Sequence, residues 1–136
     1  MDFVKSLMIA ASGLKAQNGR MRIIAENIAN ADSTARTPEG DPYRRKIPTF
    51  ESHFDRAIEA DTVVMGEVIR DQSDFGMRLD PGNPAADKNG YVKIPNVNTL
   101  VETVDMREAQ RSYQANLNVI QATRRMLQRT IDILKV

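Results

Sequence analysis

The stretch from Asn98 to Val136 limits what this chain can fold into more than any other part of the sequence. It contains neither proline nor glycine, and apolar residues recur in it every seven positions. The repeating residues are Met106, Tyr113, Ile120, Leu127 and Leu134. This spacing predicts one amphipathic helix of about five heptads, roughly 50 Å long at about 1.5 Å per residue. A single helix of that length cannot bury its own apolar stripe, so it needs a partner helix in this chain or in another copy.

The start of this helix carries a capping signal. Asn98 and Thr99 are both suitable N-cap residues, because their side-chain oxygens can accept hydrogen bonds from the free backbone N–H groups of the first turn. Glu102 follows at the position that completes a capping box. The sequence therefore predicts that the helix begins at residue 98 or 99 and that Glu102 helps to cap it.

A second long helix is predicted at the other end of the chain, from Phe3 to about Ala31. Leu7, Leu14, Met21 and Ile28 form a second row with a spacing of seven. Small residues at positions 10–13 allow a neighbouring helix to approach closely, whereas Gly13 and Gly19 weaken the isolated helix by about 1 kcal/mol each. The helix therefore needs packing to persist, and Asn27 and Asn30 are predicted to shape its exit.

The middle of the chain is predicted to contain short strands and loops. Residues 44–50, 62–70, 75–79 and 91–94 read as extended, with Gly66 as a bulge. Residues 51–60 are predicted as a short helix with Phe54, Ala57 and Ile58 on its inner side. Residues 36–43 and 80–90 are turn segments rich in proline and glycine. The residues predicted to shape this part and the return to the last helix are Pro81, Gly82, Pro84, Gly90, Tyr91, Pro95 and Asn96.

Together these elements predict a mainly α fold. It consists of an antiparallel, coiled-coil-like pair of long N- and C-terminal helices with a small β-containing insert. Residues 1–34 and 98–136 form the terminal helical domain, and residues 35–97 form the strand-and-loop insert. The heptad rows are expected to carry the packing through Leu7, Leu14, Met21, Ile28, Met106, Tyr113, Ile120 and Leu127. Periodicity alone leaves open whether these rows pack within one chain or between copies.

Composition excludes several classes of function. The chain has no cysteine, which excludes disulfides, thiol catalysis and cysteine-bound metals. The net charge of +1 argues against a nucleic-acid-binding module, and no apolar run reaches the roughly 18 residues of a membrane span. His53 is the only histidine, with no visible cluster of carboxylates to complete a metal site. No catalytic, cofactor-binding or metal-binding residue is therefore predicted.

Several motifs resemble the signatures of bacterial flagellar rod and hook proteins. Ser12-Gly13-Leu14, Arg20-Met21 and residues 25–34 match the N-terminal signature of that family. Residues 36–46 and 90–98 resemble its proximal-rod members more specifically, and so do scattered positions of the last helix. Those positions are Glu102, Asp105, Met106, Ala109, Arg111, Tyr113, Ala115, Asn116 and Met126. The match covers nearly the whole chain.

The resemblance implies a structural subunit of the flagellar basal body. Such proteins pass through the flagellar type III export system without a cleaved signal and polymerise in the periplasm. The implied partners are other copies, other proximal and distal rod proteins, and an adaptor on the export side, with no direct insertion into the membrane. The alternative is an intracellular coiled-coil adaptor or export chaperone, which is expected to form a discrete oligomer. An enzyme is a distant third reading.

Overall fold

The structure is a computed structural model that describes residues 2–135. Val136, the last residue of the predicted C-terminal helix, lies outside the described residues. Two helices enclose six strands in the sequence. The elements are α1 (Phe3–Ala29), β1 (Lys46–Ile47), β2 (Phe50–Asp55), β3 (Ala60–Met65), β4 (Ile69–Arg70), β5 (Gly76–Leu79), β6 (Tyr91–Ile94) and α2 (Thr99–Leu134).

The expectation of a mainly α fold with a small β-containing insert is wrong. Helices make up about 47% of the chain and strands 18%, and the strands form three two-stranded antiparallel sheets. The largest local error is at residues 51–60, where the predicted short helix is strand β2 followed by a turn. Pairing with β3 supplies backbone hydrogen bonds along the whole of β2. That tertiary contribution outweighs the small intrinsic preference of the segment for a helix.

The β2–β3 hairpin, residues 50–65, is the longest of the three sheets. Its register pairs Phe50 with Met65 and Asp55 with Ala60. In the connecting turn the Asp55 carboxylate accepts a hydrogen bond of 2.8 Å from the backbone N–H of Ala57. Glu59 closes the turn with a positive φ of 49°. Phe54, predicted on the inner side of a helix, is instead exposed on β2.

The single strand predicted over residues 62–70 is divided into β3 and β4. Gly66 lies at the break rather than in a bulge, and its backbone N–H donates to the carbonyl of Thr49 over 2.9 Å. The Thr49 hydroxyl donates to the carbonyl of Glu67 over 2.6 Å. The first bond extends the β2–β3 pairing by one residue, and after Glu67 the chain continues into β4, which pairs with β1.

The β5–β6 sheet is closed by the turn segment of residues 80–90. The Asp87 carboxylate accepts hydrogen bonds from the backbone N–H groups of Asn89 and Tyr91, over 2.8 and 2.9 Å. Gly90 has a φ of 83°, in the left-handed region where a side chain is unfavourable. A Cβ atom at Gly90 would also lie 3.1 Å from the Cγ atom of Pro81.

The chain divides into two compact units. Unit 1 comprises residues 1–21, 48–67 and 107–136, and unit 2 comprises residues 22–47 and 68–106. In unit 1 the hairpin packs on α1, where the Ser12 hydroxyl accepts a hydrogen bond of 3.2 Å from the backbone N–H of Val63. The side chain of Met65 fills the space next to Gly19, so a side chain at Gly19 would displace it.

Small residues line the helix contact within unit 1. A Cβ atom at Gly13 would lie 2.8 Å from the amide nitrogen of Asn116, and Arg20 forms an ion pair of 3.6 Å with Glu108. As residue numbers rise along α1 they fall along α2, so the two segments run antiparallel there. The buried residues of unit 1 are also small: Ala10, Ala16, Gly19, Thr62, Ala109 and Thr123.

We predict that Gly90→Ala destabilises the protein by about 1 kcal/mol or more, because alanine is strained at positive φ. The matched control is Gly82→Ala in the same turn, where an added Cβ meets no atom within 4 Å. Denaturant unfolding of the two variants measures the difference. Equal stability of both variants would show that the φ of Gly90 places no demand on the turn.

Candidate assembly surface

The amide of Asn27 is the centre of a buried polar cluster in unit 2. The Asn27 side chain is fully buried. Its nitrogen donates to the carbonyl of Lys46 over 2.8 Å and to the Glu102 carboxylate over 3.1 Å. Its oxygen accepts from the Tyr43 hydroxyl over 2.8 Å and from the backbone N–H of Lys46 over 3.0 Å. Because one amide pairs with both backbone groups of Lys46, it occupies the edge of β1 that β4 leaves free.

Glu102 is the second buried member of the cluster, with 1% of its surface exposed. One carboxylate oxygen accepts the bond from Asn27, and the other accepts a bond of 2.5 Å from Nε of Arg45. The predicted role of Glu102 in a capping box is therefore wrong. The predicted N-cap Asn98 is confirmed, because its side-chain oxygen accepts from the backbone N–H of Leu100 over 3.0 Å. Glu102 is one turn further on and faces the cluster.

Asn96 and Arg44 extend this network to the loop before β5. Asn96 accepts a hydrogen bond of 2.8 Å from the backbone N–H of Arg45, and its amide nitrogen donates to the carbonyls of Asp71 and Ser73. The guanidinium of Arg44 donates to the same two carbonyls and lies 4.2 Å from the centre of the Phe75 ring. The segment after Tyr43 is therefore held on both sides.

The pKa values of Tyr43 and Asp71 are shifted by their surroundings. Burial raises the pKa of Tyr43 to about 12, and the negative charges of Glu26 and Glu102 add to the effect. Hydrogen bonds from the backbone N–H and hydroxyl of Ser73 lower the pKa of Asp71, with a further contribution from Arg45. Both shifts keep each group in the form that its hydrogen bonds require at neutral pH.

The buried side of α2 is a heptad row that the sequence analysis did not single out. Glu102, Ala109, Asn116 and Thr123 are spaced seven residues apart, and all but the half-buried Asn116 are buried. The eight residues predicted to carry the packing are all half-buried and lie beside the buried positions: Leu7, Leu14, Met21, Ile28, Met106, Tyr113, Ile120 and Leu127. A search for small and polar residues at a spacing of seven could have found the buried row.

A third row on α2 faces solvent within unit 1. Val119, Met126 and Ile133, which we call the outer stripe, are also spaced by seven, and 43–74% of each residue is exposed. Ala115 is exposed too, and it lies five turns from Ile133 at about 3.6 residues per turn. A row of exposed apolar side chains along a helix is typical of a surface that packs against a partner.

The residues predicted to shape the turns occupy several different environments in the structure. Asn27 and Asn96 belong to the polar network, and the Asn30 amide donates to the carbonyl of Glu26 over 2.8 Å where α1 ends. Pro95 is buried and Gly90 supplies the positive φ. The remaining residues are exposed around the β5–β6 turn: Pro81, Gly82, Pro84 and Tyr91.

The described residues offer little to reaction chemistry. Among residues 2–135, no group of three or more His, Asp or Glu side chains is placed to hold a metal ion. Neither described helix combines the length and the hydropathy that a membrane crossing needs. Unit 2 has an open groove of about 420 Å³ beside Tyr43, whose lining carries charges of both signs. The most distinctive features are thus a polar network that fixes the fold and an exposed apolar helix face.

Comparison with known proteins gives consistent matches along the chain. A family model described as flagella basal body rod protein matches residues 7–36, and one described as flagellar basal body rod FlgEFG protein C-terminal matches residues 88–133. The chain is 56% identical over 127 residues to the flagellar basal-body rod protein FlgC of Agrobacterium fabrum, covering 93% of this chain and 91% of the relative. The proteins of the same name from Salmonella typhimurium and Aquifex aeolicus are 41% and 38% identical, over 92% and 99% of both chains.

We predict that Asn27→Ala destabilises the protein by about 3 kcal/mol, because it leaves several buried hydrogen-bonding groups without partners. Asn18→Ala is the matched control, since Asn18 is an exposed asparagine on the same helix. It is expected to change stability by no more than about 0.5 kcal/mol. Denaturant unfolding of both variants tests this, and an equal effect would show that the Asn27 amide is dispensable.

We also predict a pH-dependent effect of Tyr43→Phe. The variant loses the bond to Asn27, worth about 1 kcal/mol near neutral pH. In the folded natural chain the pKa of Tyr43 is raised to about 12. Ionisation of its hydroxyl at high pH therefore favours the unfolded state. The stabilisation by Tyr43 is therefore complete below pH ~10 and is lost as the pH rises toward 12. Unfolding of both proteins along a pH series measures this, and a constant stability difference would contradict it.

Proposed function

Since the chain belongs to the FlgC family of flagellar basal-body rod proteins, we propose that it polymerises through its terminal helices into the proximal part of the rod. It is a structural subunit of the basal body and not an enzyme. The rod transmits the torque of the motor, and in this proposal the subunits form its wall. Membership of a structural family also removes the reason to prefer an intracellular adaptor or chaperone.

The outer stripe of α2 is the observation that most supports assembly through the helices. Each apolar side chain that leaves water on contact with a neighbour contributes about 25 cal/mol per Å² buried. The stripe therefore favours association along the helix. We assign this role to the terminal helical domain of residues 1–34 and 98–136, with residues 35–97 as the strand-and-loop part. The eight half-buried residues of the two heptad rows remain predicted packing positions.

A head-to-tail contact repeated between copies accounts for a rod. Contacts between different surfaces of identical subunits generate a ring or a helical assembly rather than a closed dimer. In such an assembly every subunit is held by several neighbours. Torsion is then resisted by many non-covalent interfaces in parallel, which fits a chain with no cysteine for covalent links.

The finer partners and location are also part of the proposal. Basal-body rod proteins assemble with other rod and basal-body components. We propose that this chain contacts other proximal and distal rod proteins and an adaptor on the export side. We further propose that it reaches the periplasmic rod through the flagellar type III export system without a cleaved signal.

We predict that Val119→Asp and Met126→Asp abolish swimming while leaving the folded chain intact. Both residues are exposed, so a charge there changes folding stability by about 0.5 kcal/mol or less but disrupts apolar contacts with a neighbour. Gln121→Asp, at an exposed polar position on the same helix, is the matched control. The measurements are swimming and the amount of chain in purified basal bodies. Normal swimming of both stripe variants would refute assembly through this face.

A further inference from the structure

Four arginines form one exposed face of α2 within unit 1. Arg107 and Arg125 are eighteen residues apart, and so are Arg111 and Arg129. Eighteen residues make about five helical turns, so each pair points in the same direction. The two pairs are offset by four residues, which makes them neighbours on the helix surface. We call these four residues the arginine face.

The arginine face borders the outer stripe. Arg129 follows Met126 by three residues and precedes Ile133 by four, and these spacings place side chains next to each other on a helix. Arg111 precedes Ala115 by four residues, so these two side chains are also adjacent. Among the described residues, none of the four arginines lies within 4.0 Å of a carboxylate. This surface thus combines exposed apolar groups with positive charge that the described part of the chain does not neutralise.

The segment of residues 48–67, which contains the β2–β3 hairpin, is acidic rather than basic. Residues 48–67 contain five acidic residues and one basic residue, Arg56. The acidic residues are Glu51, Asp55, Glu59, Asp61 and Glu67. None of these carboxylates forms an ion pair within the described residues.

The outer strand of the hairpin is also open to a partner. Residues 50–54 of β2 are all exposed, and among the described strands β2 pairs only with β3. Phe54 and Val63 are exposed apolar residues on the same face of the hairpin as Asp61, because side chains alternate between the two faces along each strand. Exposed apolar groups edged by negative charge match the composition of the α2 surface with the sign reversed.

We propose that the acidic hairpin of one copy docks on the arginine face and outer stripe of α2 in a second copy. Opposite charges on the two surfaces favour this register and disfavour contacts between two hairpins or two α2 faces. Because the two surfaces differ, the contact is head-to-tail and leaves a free surface at each end for the next copy. The inference rests on the proposed assembly function and specifies the contact through which it occurs.

Charge reversal tests the contact in cells that lack their own copy of the chain. The α2 variant is Arg125→Glu with Arg129→Glu, which are one helical turn apart, and the hairpin variant is Glu59→Lys with Asp61→Lys, which are two residues apart. Each is expected to lower the amount of chain in purified basal bodies by about tenfold, because like charges then face each other. The chain carrying all four substitutions restores complementarity and is expected to regain most of the loss.

The matched control changes the same charge on another side of α2 and directly after its last residue. Arg124 and Lys135 are exposed and eleven residues apart, about three turns, so they share a side that the arginine face does not occupy. Arg124→Glu with Lys135→Glu is expected to assemble normally. The inference is overturned if the α2 variant loses no more than this control, or if the four substitutions together restore nothing.

Cysteine cross-linking identifies the partner directly, because the natural chain has no cysteine. Ser52→Cys marks the hairpin and Ala115→Cys marks α2, both at exposed positions. Cells that make both variants are expected to yield a covalent dimer of this chain in basal bodies, whereas cells that make either one alone are not. A product with a different protein, or no product in cells that swim, overturns the inference.

These outcomes are separate from failure of the proposed function. If the chain is absent from basal bodies altogether, the assembly role fails. If the outer-stripe substitutions stop swimming but charge reversal matches its control, the assembly role stands and the hairpin contact fails.

Discussion

The structure of unit 2 depends on one buried hydrogen-bonding group, the amide of Asn27. A buried amide is stable only when its donors and acceptor are matched, since an unmatched group costs about 1–3 kcal/mol. Here α1 carries the amide, and its partners come from the segment of residues 43–46 and from the first turns of α2. These three parts are far apart in sequence, so the amide fixes their relative positions as well as stabilising them. Glu102 adds a charge that is tolerated because Arg45 meets it.

In unit 1 the packing depends on small side chains. Glycine, alanine and threonine occupy the buried positions where the backbones come close, so the larger apolar residues are displaced to the flanks. The larger side chains at the heptad positions are consequently only half-buried, and those of the outer stripe are exposed. A subunit built in this way keeps apolar surface available for the assembly that we propose.

Charge is distributed differently in the two units. The polar network of unit 2 satisfies its charges locally, with Arg45 placed among Glu102, Asp71 and Asp105. The hairpin and the arginine face of unit 1 leave theirs exposed and opposite in sign. Exposed charges add little to the stability of a single chain, but across an interface they select the register and exclude like-charged contacts.

The two long helices and the family could both be predicted from residue spacing and motifs. Apolar residues that recur every seven positions, without proline, over about 36 residues predict one long helix. The observed helix α2 (Thr99–Leu134) agrees closely with that prediction. The motifs around Asn27, Gly90 and Asn96 were also visible, because turns and caps demand particular residue types. These features are local, and local constraints can be read from residue spacing.

Strand β2 and the buried positions depend on tertiary contacts. Residues 50–55 form a strand because β3 pairs with them, and the residues of that segment do not themselves indicate the pairing. Glu102 was read as a helix cap because its sequence neighbours suggest one, whereas its partners, Arg45 and Asn27, are 57 and 75 residues away. Likewise, the helix contact prefers the small residues over the larger heptad rows because close backbone approach excludes large side chains. Burial is set by which surfaces meet, and that depends on the whole fold rather than on any one stretch of the chain.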